Sequence, residues 1–227
     1  MAVLEIALPT LKKDRELVEA GMKKLGPIIK AKLHEAGVLN CLRGFFATED
    51  GRDISGDFRE VLLLQWPTAQ HFRDFISSPG FLEFKTQLEP FAAAPPELKP
   101  FAVAPPPLKL FEDAEGDVPS LFGVPGDAVL EYLVIRPRDP SEAGAQGVLQ
   151  QLRSGLAHLG ARGAALGTTS NLATREIGLV SLYASDAELE TARASAARQQ
   201  LLAAVAGAAD VTSLVAHVEK MLPLSEV

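Results

Sequence analysis

The chain has 227 residues, 47% of them hydrophobic and 22% charged, with a formal net charge of -7. That is enough apolar material for a sizeable core in one large domain or two small ones, and the acidic balance argues against a nucleic-acid binder, which needs clustered Lys and Arg against phosphate. A single cysteine, Cys41, excludes an internal disulfide, no Cys/His set has zinc spacing, and no run of eighteen apolar residues marks a membrane span.

The first stretch carries Glu5 inside its short apolar run and lacks the basic region of a signal peptide, so a soluble, cytoplasmic protein is expected. Residues 3–8 alternate around Glu5 and predict a strand ended by Pro9. Asp14 is a suitable N-cap for a helix reaching about residue 36, with Leu17, Val18, Met22, Leu25, Ile29 and Leu33 on one stripe, a kink at Gly26 and Pro27, and Gly37 at its end. Residues 38–47 predict a second strand, and the near-continuous apolar run at 60–66 predicts a strand covered on both faces. The stretch QWPTAQHFRDFISSPGFLEF at 65–84 reads as the end of that strand, a tight turn, and a helix burying Phe72, Phe75 and Ile76. A second helical piece follows, capped by Ser78, opened by Pro79, and burying Phe81, Phe84 and Leu88. A fourth strand is predicted at 98–103. Segment 104–126 is rich in Pro, Gly and acids and reads as a connection, although Leu108, Leu110, Phe111, Leu121 and Phe122 are apolar enough that it should pack along the body.

The second half repeats the first. AVLE occurs at 2–5 and again at 128–131, and GLVSLYASDAEL aligns on VLLLQWPTAQHF, placing Tyr183 on Trp66 at an offset of 117 (183 − 66). Strands are predicted at 129–135, 164–169, 176–183 and 211–218, with helices at 141–159 and, rich in alanine, at 186–206. The resulting organisation is a first repeat at 1–103, a connection at 104–126 and a second repeat at 127–227.

A strand ending in Trp, a small turn, a helix with an aromatic stripe, Ser-Pro and a second helix is a pattern that resembles the dimeric α/β-barrel superfamily. The likeness is to its antibiotic-biosynthesis-monooxygenase type and stress-responsive relatives. The resemblance implies an α+β fold in which two ferredoxin-like βαββαβ repeats pack sheet to sheet as an intramolecular, pseudo-dimeric α/β barrel, a tandem arrangement familiar from fungal proteins. It also implies a ligand pocket between the sheet and the helices of one unit. The physical reading agrees, because one sheet with helices on a single face leaves its other face apolar and in need of a partner. Relatives of the cyclase branch carry a Tyr and a His where this chain has Phe75 and Phe81, so that acid/base mechanism does not transfer.

His71, beside the Phe72 and Phe75 stripe and close behind Trp66, is the candidate catalytic group, with a satisfied structural histidine as the competing reading. Trp66, Asn40, Arg43, Phe75, Phe81 and Tyr132 are candidate substrate-binding residues: polar-tipped aromatics, or polar positions in otherwise apolar strands. Glu5 and Glu131 are repeat-equivalent. If the sheets pack face to face both carboxylates would point into the layer between them, or else bond to partners such as Arg43 or a tyrosine. The expected function is a small-molecule tailoring enzyme for an aromatic or polyketide-like metabolite (cyclisation, rearrangement or cofactor-independent oxidation), working without a bound cofactor or metal as a monomer or homodimer. A non-enzymatic ligand-binding or stress-response protein is the alternative, and a haem protein using His71 or His217 a third.

Overall fold

In a computed structural model of the chain, the described residues are 2–93, 108–123, 127–172 and 175–222. The strands are β1 (Ala2–Ala7), β2 (Asn40–Glu49), β3 (Arg52–Asp53), β4 (Glu60–Trp66), β5 (Leu108–Gly116), β6 (Ala128–Pro137), β7 (Gly163–Thr168), β8 (Ile177–Tyr183) and β9 (Ala209–Leu222). The helices are α1 (Arg15–Glu35), α2 (Ala69–Ile76), α3 (Pro79–Leu88), α4 (Val118–Leu121), α5 (Glu142–Gly155), α6 (Asp186–Ala194) and α7 (Ala196–Val205). The strands follow the order β3-β2-β4-β1-β5-β7-β8-β6-β9, and β2 also pairs with β9. The sheet therefore closes into an eight-stranded antiparallel barrel from which the two-residue β3 hangs, giving an α+β fold with helices outside.

Local chemistry sets most of these boundaries. Asp14 accepts the Leu17 N–H at 3.0 Å and starts α1, which runs through Pro27 on its solvent side. Thr68 and Ser78 cap α2 and α3, and Pro79 occupies the first turn of α3, as its fixed φ and missing N–H allow. The alanine-rich stretch at 186–206 was expected as one helix but breaks in two. Ser195 takes an extended conformation (φ -67, ψ 143), and its hydroxyl accepts from Arg198 N, so the chain restarts as α7.

The strand expected at 98–103 and the side chain of Phe84 lie outside the described residues. The strand hydrogen-bonded to β1 on that side is β5, within the segment read as a connection. Leu108, Leu110, Phe111, Leu121 and Phe122 are all buried, as their hydropathy required. Val118, Leu121 and Phe122 belong to the cluster that fills the barrel, so α4 acts as a plug. Each such fully buried side chain contributes about 1.5–3 kcal/mol.

Alternation sorts the strand residues into two layers. Leu4 and Ile6 of β1, Leu63 of β4, Phe111 of β5 and Leu130, Tyr132 and Val134 of β6 fill the interior, where a void between Leu4, Ile6, Phe111 and Val180 measures about 10 Å³. Val3, Ala7, Leu64 and Trp66 face outward under α1, α2 and α3, and Leu133, Ile135 and Leu179 face outward under α5 and α7. Glu5 and Glu131 share the faces of Val3 and Leu133, so both carboxylates lie under helices. They do not point into the layer between the sheets; they are structural acids bonded to nearby partners, which are Trp66 for Glu5 and Arg193, Arg198 and Ser213 for Glu131 in place of Arg43 or a tyrosine. Both faces of these strands are apolar, and alternation alone does not say which is inside.

The barrel closes at two seams, and each needs a residue without a side chain. A Cβ on Gly44 of β2 would lie 2.0 Å from the His217 carbonyl oxygen of β9, and one on Gly116 of β5 would lie 2.3 Å from the Ala164 carbonyl oxygen of β7. Gly44→Ala is expected to force the longer seam apart and cost roughly 1–3 kcal/mol or more, read as a lower denaturation midpoint at unchanged slope.

Candidate functional site

The residues predicted from sequence fall into separate places. Trp66 is buried, its ring against Phe72 (centroids 5.8 Å apart) and Phe75 (5.5 Å), and Phe75 in turn meets Phe81 at 5.1 Å. These rings fill the space beneath α2 and α3. His71 is exposed on the first turn of α2, its Nδ1 2.8 Å from Thr68 Oγ1, and with Phe75, Lys32, Asp74 and Ser78 it lines a surface cleft of about 370 Å³. Asn40 donates to Gln65 at 2.7 Å. Arg43 pairs with Glu60 at 2.5 Å and faces a groove of about 690 Å³ over the β2–β9 seam, where exposed His217 sits 3.0 Å from Asp186. Tyr132 is sealed inside the barrel on the other side of the sheet, its hydroxyl without a partner and its ionisation pushed up by burial. His71 and Phe75 share the cleft, with Trp66 and Phe81 behind; Asn40, Arg43 and Tyr132 are elsewhere.

Besides Glu60, which pairs with Arg43, two buried acids, Glu5 and Glu131, mark the helix-facing layer. Glu5 receives one hydrogen bond, from Trp66 Nε1 at 2.7 Å, and burial raises its pKa to about 7. Glu131 occupies the corresponding place under α6 and α7: Val3 pairs with Trp66 across β1–β4, as Val129 pairs with Tyr183 across β6–β8. Glu131 is far better supplied. Its Oε1 accepts from Arg193 Nε (3.1 Å), Arg193 Nη2 (3.0 Å) and Ser213 Oγ (3.0 Å), and its Oε2 accepts from Arg198 Nη2 at 2.7 Å.

The helix break builds this cluster. Arg193 lies in the last turn of α6, where a cation suits the helix dipole, and Arg198 lies in the first turn of α7, fixed by the Ser195 cap. The two guanidinium groups therefore straddle the break and reach the same carboxylate. Arg198 is 3% exposed, and its Nε and Nη1 have no hydrogen-bond partner.

A cavity of about 650 Å³ opens over the cluster. Leu133, Leu202, Ala206, Ala209 and Val211 give it apolar walls, and Glu131, Arg193, Arg198 and Ser213 give it a polar floor. An exposed ion pair, Arg138 with Asp210 at 2.8 Å, stands at its rim. With four hydrogen bonds on its carboxylate, Glu131 is a positioning residue, not a free base; the groups left to act on a ligand are the arginine N–H donors.

Sequence reasoning missed Arg193, Arg198 and Ser213. The signal existed in the repeat: at the offset of 117 that puts Tyr183 on Trp66, Ser195 falls on Ser78 and Arg198 on Phe81. An arginine therefore stands in the second half at the position that Phe81 holds in the first. Among the described residues, no group of three or more His, Cys, Asp or Glu side chains is placed to hold a metal ion, and no helix is long and apolar enough to cross a membrane.

No protein-family model and no curated protein matches the chain. Solved structures do. A candidate monooxygenase from Lactobacillus acidophilus NCFM superposes with a TM-score of 0.57 at 12% identity, covering 97% of this chain and 94% of its own. One from Fusobacterium nucleatum gives the same score and identity, covering 97% and 93%. An anthrone oxidase-like protein also scores 0.57 at 12% identity, covering 100% and 97%. At such identity the shared property is the barrel fold over the whole chain, and activity has to be argued from the site.

Proposed function

We propose that this chain is a small-molecule enzyme acting on an aromatic or polyketide-like metabolite in the cavity between β6, β9 and α7. The fold is read as two ferredoxin-like copies forming a pseudo-dimeric barrel. Support for the two copies comes from the matching strand orders β2-β4-β1-β5 and β7-β8-β6-β9 and the matching registers around Glu5 and Glu131; β5 serves as the fourth strand of the first copy. The observation that carries the functional reading is the open cavity itself, about 650 Å³ with apolar walls that end on a hydrogen-bond-donating floor. A polyketide-like ring system with oxygen at one edge has the complementary shape.

The chemistry such a site offers is orientation within apolar walls and stabilisation of negative charge as it develops on a substrate oxygen. Cyclisation, rearrangement and cofactor-independent oxidation of phenolic or enolisable compounds all pass through such charge. The names of the barrel-fold relatives, monooxygenase and anthrone oxidase-like, are compatible with this class.

The test is a turnover screen over hydroxylated polycyclic aromatics with wild type, Leu202→Trp and His71→Ala. Leu202 lines the cavity wall and is only partly buried, so a tryptophan there fills the cavity with little disturbance of the core. Leu202→Trp is expected to lose at least tenfold in kcat/KM, while His71→Ala keeps it. The opposite pattern moves the site to the His71 cleft. Saturable binding without turnover across the screen favours the ligand-binding alternative.

A further inference from the structure

We propose that the ligand of the β6–β9–α7 cavity is an organic anion, a carboxylate or phenolate, and that Arg198 is the residue that recognises it. The inference rests on the reading of that cavity as the ligand site and adds the charge of what enters it. Its first support is the sum of charges on the floor. Two guanidinium groups meet one carboxylate there; Glu190 bonds Arg193 Nη1 at 3.0 Å from a position 68% exposed to water, and exposed Asp50, which also lines the cavity, accepts from Ser213 N at 2.8 Å. At the rim, Arg138 and Asp210 cancel each other in solvent. The positive surplus is thus confined to the inner part of the floor, around Arg193, Arg198 and Glu131; the lining as a whole, with Asp50, Glu131 and Asp210 against Arg138, Arg193 and Arg198, is neutral.

The second support is the state of Arg198. A guanidinium has five N–H donors and cannot shed its charge. The Arg198 side chain is only 4% exposed, Glu131 takes one nitrogen, and Nε and Nη1 have no acceptor. Buried donors without acceptors are costly and rare, and charged ones most of all. Arg198 lines the floor of the cavity, and donors of this kind are the complement of an oxygen anion.

The third support is how firmly Arg198 is held. Its backbone N–H is bonded by the Ser195 cap, its Nη2 by Glu131, and Glu131 by Arg193 and Ser213. An arginine fixed in this way loses little freedom on binding, and a planar guanidinium meets carboxylate oxygens with good geometry.

The experiment compares 2-naphthoate with 2-naphthamide, which differ in charge and scarcely in shape, by calorimetric titration of the full chain. Arginine Nε–H resonances are followed by nuclear magnetic resonance in the same titration. Naphthoate is expected to bind at least tenfold tighter, to shift the Arg198 Nε–H resonance, and to lose that advantage in Arg198→Lys, which keeps the charge but not the donor fork. The resonance readout on wild type stands even if the variant does not fold. Equal binding of the two probes leaves the cavity as a ligand site and overturns the anion assignment. Tighter naphthoate binding with an unmoved Arg198 resonance overturns the role of Arg198. No binding of either probe, together with no effect of Leu202→Trp on turnover, removes the cavity reading as well.

Discussion

Glu131→Ala is expected to lower the stability of the fold by about 3–5 kcal/mol, the cost of stripping a buried ion pair of one partner. Glu131 is 1% exposed and is the shared acceptor for Arg193, Arg198 and Ser213. Removing it leaves Arg198 charged, desolvated and unpaired, and separates α6 and α7 from the strand they grip. Chemical denaturation should show the loss as a lower midpoint. Replacing both members, Glu131→Met with Arg198→Met, should restore most of it, because two apolar side chains of similar length remove the buried charge along with its partner. If Glu131→Ala were as stable as wild type, the cluster would not hold the second half together, and the cavity floor drawn from it would be unsound.

Glu5 should give the opposite behaviour, a carboxyl group whose ionisation weakens the protein. It has no cation beside it among the described residues; burial raises its pKa from 4.5 to about 7, and the Trp66 hydrogen bond opposes this only in part. The sign follows from linkage. Below about pH 4.5 both the folded and the unfolded chain carry the proton. Between about 4.5 and 7 the unfolded chain releases it while the folded chain keeps it, so stability falls as the pH rises, by about 3 kcal/mol across the window. Above 7 the loss is complete and this group contributes no further slope. Glu5→Gln should flatten that window and be more stable than wild type at pH 8, since the amide oxygen can still accept from Trp66. Trp66 is the sole tryptophan, so its emission should titrate near pH 7 in wild type and not in Glu5→Gln. A flat wild-type emission between pH 5 and 8 would show that Glu5 does not change protonation there.

The two acids occupy matching registers in different surroundings. The register of β1 against β4 and that of β6 against β8 coincide, so a glutamate stands at the same point of each sheet. In the first half its surroundings are Trp66, Phe72, Phe75 and Phe81, which fill the layer under α2 and α3 with rings. In the second half the corresponding layer holds arginines and an open cavity. The aromatic half packs its layer with rings, and the alanine-rich half has the cavity, walled by Leu202 of α7, Ala206 just after it and Ala209 of β9.

The sequence by itself determined the local grammar of the protein. Asp14, Thr68, Ser78 and Ser141 are N-caps in the structure as their chemistry requires. Apolar runs such as 60–66 and 176–183 became strands. What only the tertiary structure decided was direction and convergence. Strands apolar on both faces do not reveal which face turns inward, so the placing of Glu5 and Glu131 waited on barrel closure. That closure brings β2 against β9, strands separated by most of the chain, with Gly44 as the point of closest approach. The site is likewise non-local: Glu131 from β6, Arg193 from α6, Arg198 from α7 and Ser213 from β9 meet because a serine at 195 breaks one predicted helix into two. The residues were all in view; their meeting is a property of the fold.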